Sequence, residues 1–242
     1  EIGALTNRFN MMLNTIHILM EHEVENQKKL RLTELKALQA QIKPHFLYNT
    51  LDSIIWMVRS GDKDGAVRMV MALTQFLKIG LSRGREVITL REELAHAGNY
   101  LIIQNIRYKG KFTHEIHLKE EIASCLIPKL VLQPLIENAI YHGMKPKRGS
   151  CHLKIWVRPM EKNIVIDVID NGVGMTEEAS AALNNTLRHG SGPRAESYGV
   201  VNVNERIRIL FGEPYGVTFE SRQGEGSCFR ITLPMRWEEE TE

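Results

Sequence analysis

Apolar spacing organises this chain before any single residue does. Ile2, Leu5, Phe9, Met12, Ile16 and Leu19 recur at alternating three- and four-residue steps, the seam by which one helix packs along another. From Glu21 to Lys29 the residues are polar and the spacing slips, resuming at Leu35, Leu38 and Ile42. A phase change of this kind alters supercoil winding locally. It suits a helical stalk with a two-state joint in a parallel dimer; a single amphipathic helix of a monomeric globule is the plainer alternative. Helical spacing continues after His45 through Leu51, Ile54, Ile55 and Val58, and Ser60 to Gly65 supplies a turn. Val67, Val70, Met71, Leu73, Leu77 and Ile79 predict a second helix, ended near Gly80 to Gly84. Two helices and a short loop make a hairpin, and two hairpins make a four-helix bundle. Glu92 to Arg107 predicts a further helix.

The remaining half mixes periods. Thr113 to Leu118 predicts a short strand, and Pro128 to Tyr141 a helix with Pro128 in its first turn and a kink at Pro134. Leu153 to Val157 and Asn163 to Ile169 alternate as strands about a turn at Glu161. Gly172 to Ser197 is polar and rich in Gly, Asn, Ser and Arg; Gly199 to Phe211 is helical. Val217 to Glu220 and Cys228 to Leu233 close as strands around Gly224 to Gly226. Strands and helices follow one another without regular βαβ alternation. The expected class is therefore α+β: a helical stalk and dimeric four-helix bundle, then an α/β sandwich with a mixed sheet.

Bulk composition narrows the function. The 242 residues are 43% hydrophobic and 25% charged with a net charge of +2, which gives no case for nucleic acid or anionic lipid as the main partner. Cys125, Cys151 and Cys228 are odd in number and far apart, excluding a disulfide framework or paired zinc motif and suiting a reducing compartment. No apolar run reaches the length of a membrane span and no signal peptide opens the chain. The first residue is not Met and a helical pattern is already under way, so the expectation is a piece of a longer protein.

Candidate chemistry begins in Gln41-Ile-Lys-Pro-His-Phe-Leu-Tyr-Asn-Thr-Leu-Asp52, where Pro44 can open or kink a helix and display His45. Imidazole is nucleophilic and can carry a transferred group, although a lone helical His is more often a packed or solvated residue. Four further features lie downstream. In Pro134-Leu-Ile-Glu-Asn-Ala-Ile-Tyr-His-Gly143, helical spacing puts Asn138, Tyr141 and His142 on one face with Glu137 beside them. An amide oxygen there suits Mg²⁺, a hard cation that keeps waters; a merely solvated face is the alternative. In Asp167-Val-Ile-Asp-Asn-Gly-Val-Gly174, Asp170 at a strand end could accept from an exocyclic amine above a Gly-x-Gly turn. Tight turns use the same residues. Gly190-Ser-Gly192 and then Tyr198 to Arg206 open a helix whose N-terminus suits phosphate, without a Walker A loop. Gly224-Glu-Gly-Ser227 precedes the last strand and reads equally well as an ordinary turn.

The order of these four features carries a resemblance. Residues 128–234 resemble the ATP-binding fold shared by DNA gyrase, the large heat-shock chaperone, MutL and sensor histidine kinases. Pro44 to Asn49 and Gln133 to Asn138 are similar to the histidine and Asn boxes of LytS/YesM-type sensor histidine kinases, and Glu1 to Asn10 resembles the second helix of a HAMP linker. The resemblance implies three regions: 1–30 HAMP helix and stalk, 31–88 dimerising phosphoacceptor hairpin, 89–242 ATP-binding catalytic domain. It implies His45 as phosphoacceptor, with Glu137 and Asn49 as catalytic candidates and Asn138 as the Mg²⁺ ligand. His142, Asp170, Gly172, Gly174, Gly199, Asn202, Arg206 and Gly226 complete the ATP-binding set. Asp170 would read adenine; a lid from Met175 to Ser197 would bring Arg188 or Arg194 to a phosphate, with Lys145 and Lys147 as further candidates.

The activity so implied is ATP-dependent autophosphorylation of His45 and transfer to an aspartate of a response-regulator receiver domain. The partners would be a second copy of the chain and an upstream membrane sensor region, making this the cytoplasmic portion of a bacterial membrane protein. The chain departs from the pattern in places. Phe46 stands where many histidine kinases place an acid, with Asp52 one heptad on; Tyr141 stands where many have lysine. Asn49 takes the place that kinases which also dephosphorylate their partners give to an amide or hydroxyl. A catalytically silent nucleotide-binding scaffold and a gyrase/MutL-like ATPase using Glu137 remain the alternatives.

Overall fold

A computed structural model describes residues 44–81, 85–189 and 198–237. The stalk seam, its phase change and the HAMP-like start lie outside the described residues, as does the Gly190 to Ser197 stretch. The chain divides between Asn49 and Thr50. The first unit is described only at its end, where Pro44 opens helix α1 (Pro44–Ser60), a position that needs no N–H from proline.

In the second unit, α2 (Lys63–Gly80) begins inside the polar turn because the Asp62 carboxylate accepts the Gly65 N–H at 2.8 Å, a side-chain cap for an orphan donor. Met69, Ala72, Leu73 and Phe76 are buried, while Val67, Val70 and Met71 on the other side are exposed. Exposed Leu51, Ile55 and Val58 on α1 make a similar apolar display. Strand β1 (Val87–Thr89) leads into α3 (Leu90–Arg107) through a capping box. The Thr89 hydroxyl accepts the Glu92 N–H at 3.2 Å, and the Glu92 carboxylate accepts the Thr89 N–H at 2.9 Å. Helix α2 packs on α3 by stacking Phe76 on His96, ring centroids 4.3 Å apart, with Tyr100 at 5.9 Å.

The five-stranded sheet uses β2 (Phe112–Leu118), β4 (Cys151–Met160), β5 (Asn163–Asp170), β6 (Gly216–Arg222) and β7 (Gly226–Pro234) in the order β2-β4-β5-β7-β6. Strand β2 runs parallel to β4 and every other pairing is antiparallel, so the mixed sheet and the α+β class hold. Leu153, Ile155, Val157, Ile164, Ile166, Val168, Phe229, Ile231 and Leu233 are buried, each side chain contributing about 1.5–3 kcal/mol by leaving water. Asp167 breaks the apolar run of β5; it is buried because Arg158 and Arg230 bind its two oxygens at 2.5 and 2.6 Å.

The helix expected over 128–141 takes a different form. Leu126–Pro128 is strand β3, paired antiparallel with β1; Pro128 ends it, a place where a missing N–H costs little. Helix α4 runs only from Gln133 to Asn138, with Pro134 in its first turn rather than at a kink. From Ala139 to Met144 it widens into a π-helical turn, with the Lys145 N–H donating to Ile140 O at 2.9 Å. The polar stretch after Gly172 holds helix α5 (Glu177–His189), and α6 spans Tyr198–Phe211. Helices α5 and α6 pack on β6, and the π turn packs on β4, β5 and β7. Among the described residues, no helix is long and apolar enough to cross a membrane.

Candidate functional site

A cavity of about 560 Å³ opens between the π turn, the ends of β5 and β7, and α5. Asn138, His142, Gly143, Asp170, Gly174 and Ser227 line its polar side; Ala139, Met175, Leu183 and Phe229 supply apolar wall. Apolar walls with a few convergent polar groups are what a flat heteroaromatic ligand needs. The widened turn explains which side chains arrive there. A turn closed by i→i+5 bonding holds more residues than an α-turn. Asn138 and His142 therefore stay on the cavity side, while Tyr141 turns to α3, where Gln104 Nε2 donates to its hydroxyl at 3.3 Å. The single polar face expected for all three residues is thus split.

Asp170 ends β5 almost wholly buried, 4% exposed, and its Oδ1 accepts the Gly172 N–H at 2.7 Å. Burial pushes its carboxyl up to about 6, against the pull of the Gly172 and Ser227 backbone and of the Lys147 charge. The surrounding glycines are dictated by contact. A Cβ on Gly172 would stand 2.4 Å from the Gly143 carbonyl carbon, and Val173 N–H donates to Gly143 O at 2.9 Å. Gly174 (φ 64°) and Gly226 (φ 117°) hold left-handed backbone, and Cβ atoms there would meet Arg222 O at 1.9 Å and Asp170 O at 2.0 Å. The Asp-x-Gly-x-Gly and Gly-x-Gly-Ser segments therefore form one packed floor beneath the cavity.

Other expected residues lie elsewhere. Glu137 is half-buried and accepts from Gln133 Nε2 at 3.0 Å. Gly199 packs against Pro134, where a Cβ would be 3.1 Å from the proline Cβ; Asn202 is exposed. Arg206, expected near phosphates, instead donates through Nη2 to Lys129 O, because the buried Glu93 carboxylate draws its charge. Lys147 Nζ donates to Asn171 O beside Asp170. Arg188 is exposed, and Arg194 lies outside the described residues. His45 is exposed at the start of α1, with the Asn49 amide nitrogen 3.0 Å from Nδ1 and 2.9 Å from Nε2. One N–H cannot serve both; it donates to whichever nitrogen lacks the proton.

Sequence reasoning expected a lid over Met175 to Ser197 but not the helix α5 within it, and it quoted Gly143 and Ser227 in motifs without assigning them to the cavity. The signal for α5 was present: Ala179, Ala182, Leu183 and Thr186 line the cavity at helical spacing. Gly143 could have been paired with Gly172 only through the fold.

Among the described residues, no group of three or more His, Cys, Asp or Glu is placed to hold a metal. A single amide oxygen from Asn138 in an open cavity still fits Mg²⁺, which keeps its waters and takes oxygens from phosphates.

Two family models match this chain in order: "Histidine kinase" over residues 33–112, and "Histidine kinase-, DNA gyrase B-, and HSP90-like ATPase" over residues 126–236. The second spans all the residues of the cavity. "Sensor histidine kinase YesM" of Bacillus subtilis is 37% identical over 236 residues, covering 98% of this chain and 39% of its own length. "Sensor protein LytS" of Bacillus cereus is 32% identical over 220 residues, 90% of this chain and 37% of its own. "Sensor histidine kinase BtsS" of Escherichia coli is 30% identical over 223 residues, 92% and 37%. The chain thus spans under two fifths of the length of these relatives. With both domain models met in sequence and these relatives aligned along nearly all of it, the chain belongs to the sensor histidine kinases of the YesM and LytS kind.

Proposed function

We propose that this chain binds Mg²⁺·ATP in the cavity and passes the γ-phosphoryl group to a ring nitrogen of His45, and then to an aspartate of a receiver domain. The observation that carries the reading is the convergence of Asn138 and Asp170 on one cavity with apolar walls. Asp170 accepts from the adenine amine, Gly174 and Met175 border the base, and Asn138 gives an amide oxygen to the metal, with His142 beside it. Mg²⁺ supplies charge neutralisation along the phosphates. A neutral His45 brings the lone pair of its unprotonated nitrogen to the γ-phosphorus. A P–N bond forms as the bond to the β,γ-bridging oxygen breaks, and ADP leaves. Such transfer depends chiefly on positioning and electrostatics. Asn49 holds the imidazole ring edge in the resting geometry and must swing away for the attack.

The apolar faces of α1 and α2 support a homodimer, since Leu51, Ile55, Val58, Val67, Val70 and Met71 are exposed in the single chain; exposure on that scale marks an interaction surface. Kinship with sensor proteins that extend well beyond the aligned region supports an upstream membrane sensor and a cytoplasmic location for this portion. Nucleic acid plays no part in this reading. The test is nucleotide titration of wild type, Asp170→Asn and Asn138→Ala. Asp170→Asn is expected to weaken adenosine and ATP alike, and Asn138→Ala to weaken only the Mg²⁺-dependent part of ATP binding. Equal binding by all three proteins would contradict the reading.

A further inference from the structure

Glu93 sits in the first turn of α3 with no exposure at all, 37 and 39 residues before the backbone it touches. Its Oε2 accepts the Leu130 N–H at 2.8 Å and its Oε1 the Leu132 N–H at 2.9 Å. Leu132 is the N-cap of α4, and no side chain of that segment caps the helix. A helix N-terminus left without acceptors is costly, and here the acceptor arrives from another helix. Between the two gripped amides, the chain passes through a left-handed leucine, Leu130 at φ 58°, a conformation that persists only where its surroundings over-determine it. From the other side, Arg206 of α6 binds the Lys129 carbonyl; burial raises the Glu93 carboxyl, while the Leu132 and Leu130 amides and the Arg206 charge pull it back towards the ionised form. Asn138 lies six positions after Leu132, at the end of the short helix α4, so the place where α4 starts bears on where Asn138 points.

We propose that Glu93 is a positioning residue for the metal end of the nucleotide site: by clamping the backbone at Leu130 and Leu132 it sets the entry of α4 and hence the aim of Asn138. This rests on the function proposed above and deepens it. The adenine end is built chiefly from β5 and the glycine floor, and it meets the chain after α4 at Gly143, five residues beyond Asn138 and farther from the clamp. Because α3 is also the helix on which α2 packs through Phe76, His96 and Tyr100, a shift of α2 is carried to Asn138 through the same carboxylate. A carboxylate that merely supported the fold would serve both ends of the site alike.

Glu93→Asp keeps the charge and shortens the reach by one methylene, too little for both amides. In the full 242-residue chain, binding of adenosine and of ATP with and without Mg²⁺ is measured for wild type and variant, with amide exchange followed at Leu130 and Leu132. The expected result is faster exchange at those two amides, adenosine affinity held within about twofold, and a loss of about tenfold in the Mg²⁺ enhancement of ATP binding. Unchanged Mg²⁺ enhancement in a variant whose two amides have opened would overturn the role, as would an equal fall for adenosine and Mg²⁺·ATP. If Glu93→Asp does not fold, Glu93→Gln, which keeps the length and one acceptor oxygen, is read against the same outcomes. Wild type that binds neither adenosine nor ATP overturns the nucleotide reading itself, an outcome distinct from the loss of Glu93's role alone.

Discussion

Asp170 concentrates the chemistry of the cavity in one titrating group. Its ionised form accepts a hydrogen bond from an amine; protonation removes that capacity from one oxygen. With the carboxyl pushed up to about 6 by burial, nucleotide affinity is expected to fall as pH drops through that value, about tenfold weaker at pH 5 than at pH 7. Stability moves the other way. A carboxyl raised in the folded state stabilises the free protein below its unfolded value, and that contribution is lost as pH rises through about 6. Asp170→Asn should flatten the affinity profile and remove this carboxyl's share of the stability profile, leaving the opposite slope that the buried His96 gives; titration calorimetry and thermal melts across pH 5–7.5 would show both. A flat affinity profile in wild type would refute the role given to the carboxylate. Gly172 is the second residue whose identity matters here. Gly172→Ala drives a methyl into the Gly143 carbonyl carbon, and backbone cannot yield as a flexible side chain can. Loss of nucleotide binding and a cost of about 1–3 kcal/mol are expected from chemical denaturation of the variant.

Elements with a regular period were legible in the sequence, and those made by tertiary contact were not. Helix α3 and strands β5 and β7 emerge close to their expected bounds, and β4 emerges where expected but runs from Cys151 to Met160, twice the expected length. Strand β1 has three residues and exists only because β3 lies beside it. Helix α5 carried its apolar spacing at Ala179, Ala182, Leu183 and Thr186 inside an otherwise polar stretch, whereas no local signal distinguishes the i→i+5 bonding of the π turn from i→i+4 bonding. Asn138 and Asp170 could be read from motif order; Gly143, Ser227 and the grip of Glu93 on α4 depend on residues far apart in sequence.

The packing of α2 on α3 yields its own prediction. His96 is 1% exposed, stacked on Phe76, and its Nδ1 finds no hydrogen-bond partner among the described residues. Burial depresses it to about 4, so its folded value lies below its unfolded one. His96 therefore costs the folded state up to about 3 kcal/mol as pH falls from 6.5 towards 4, opposing the gain from Asp170 over the same range. His96→Phe keeps the stacking and removes the buried orphan nitrogen, a gain of about 1–3 kcal/mol at neutral pH. Denaturant melts at pH 7.5 and pH 5 should show the variant more stable at both, with the larger gap in acid. A smaller gap in acid would contradict this assignment.

At the scale of the whole molecule, the apolar display of α1 and α2 and the cavity are distinct features of the described residues. Ile55→Glu combined with Met71→Glu places charge on that display without touching the cavity. Light scattering is expected to report a dimer for wild type and a monomer for the variant, with adenosine affinity unchanged; a variant that stays dimeric would remove these faces from the interface. The central claim joins the two parts: the imidazole of His45 takes a phosphoryl group from nucleotide held by Asn138 and Asp170. Its most direct measurement is incubation with γ-labelled ATP and Mg²⁺ of wild type beside His45→Gln. The account predicts acid-labile, base-stable label on wild type and none on His45→Gln, with nucleotide affinity the same in both. Wild type that binds ATP yet takes up no label, or phosphate release that proceeds undiminished in His45→Gln, would contradict it.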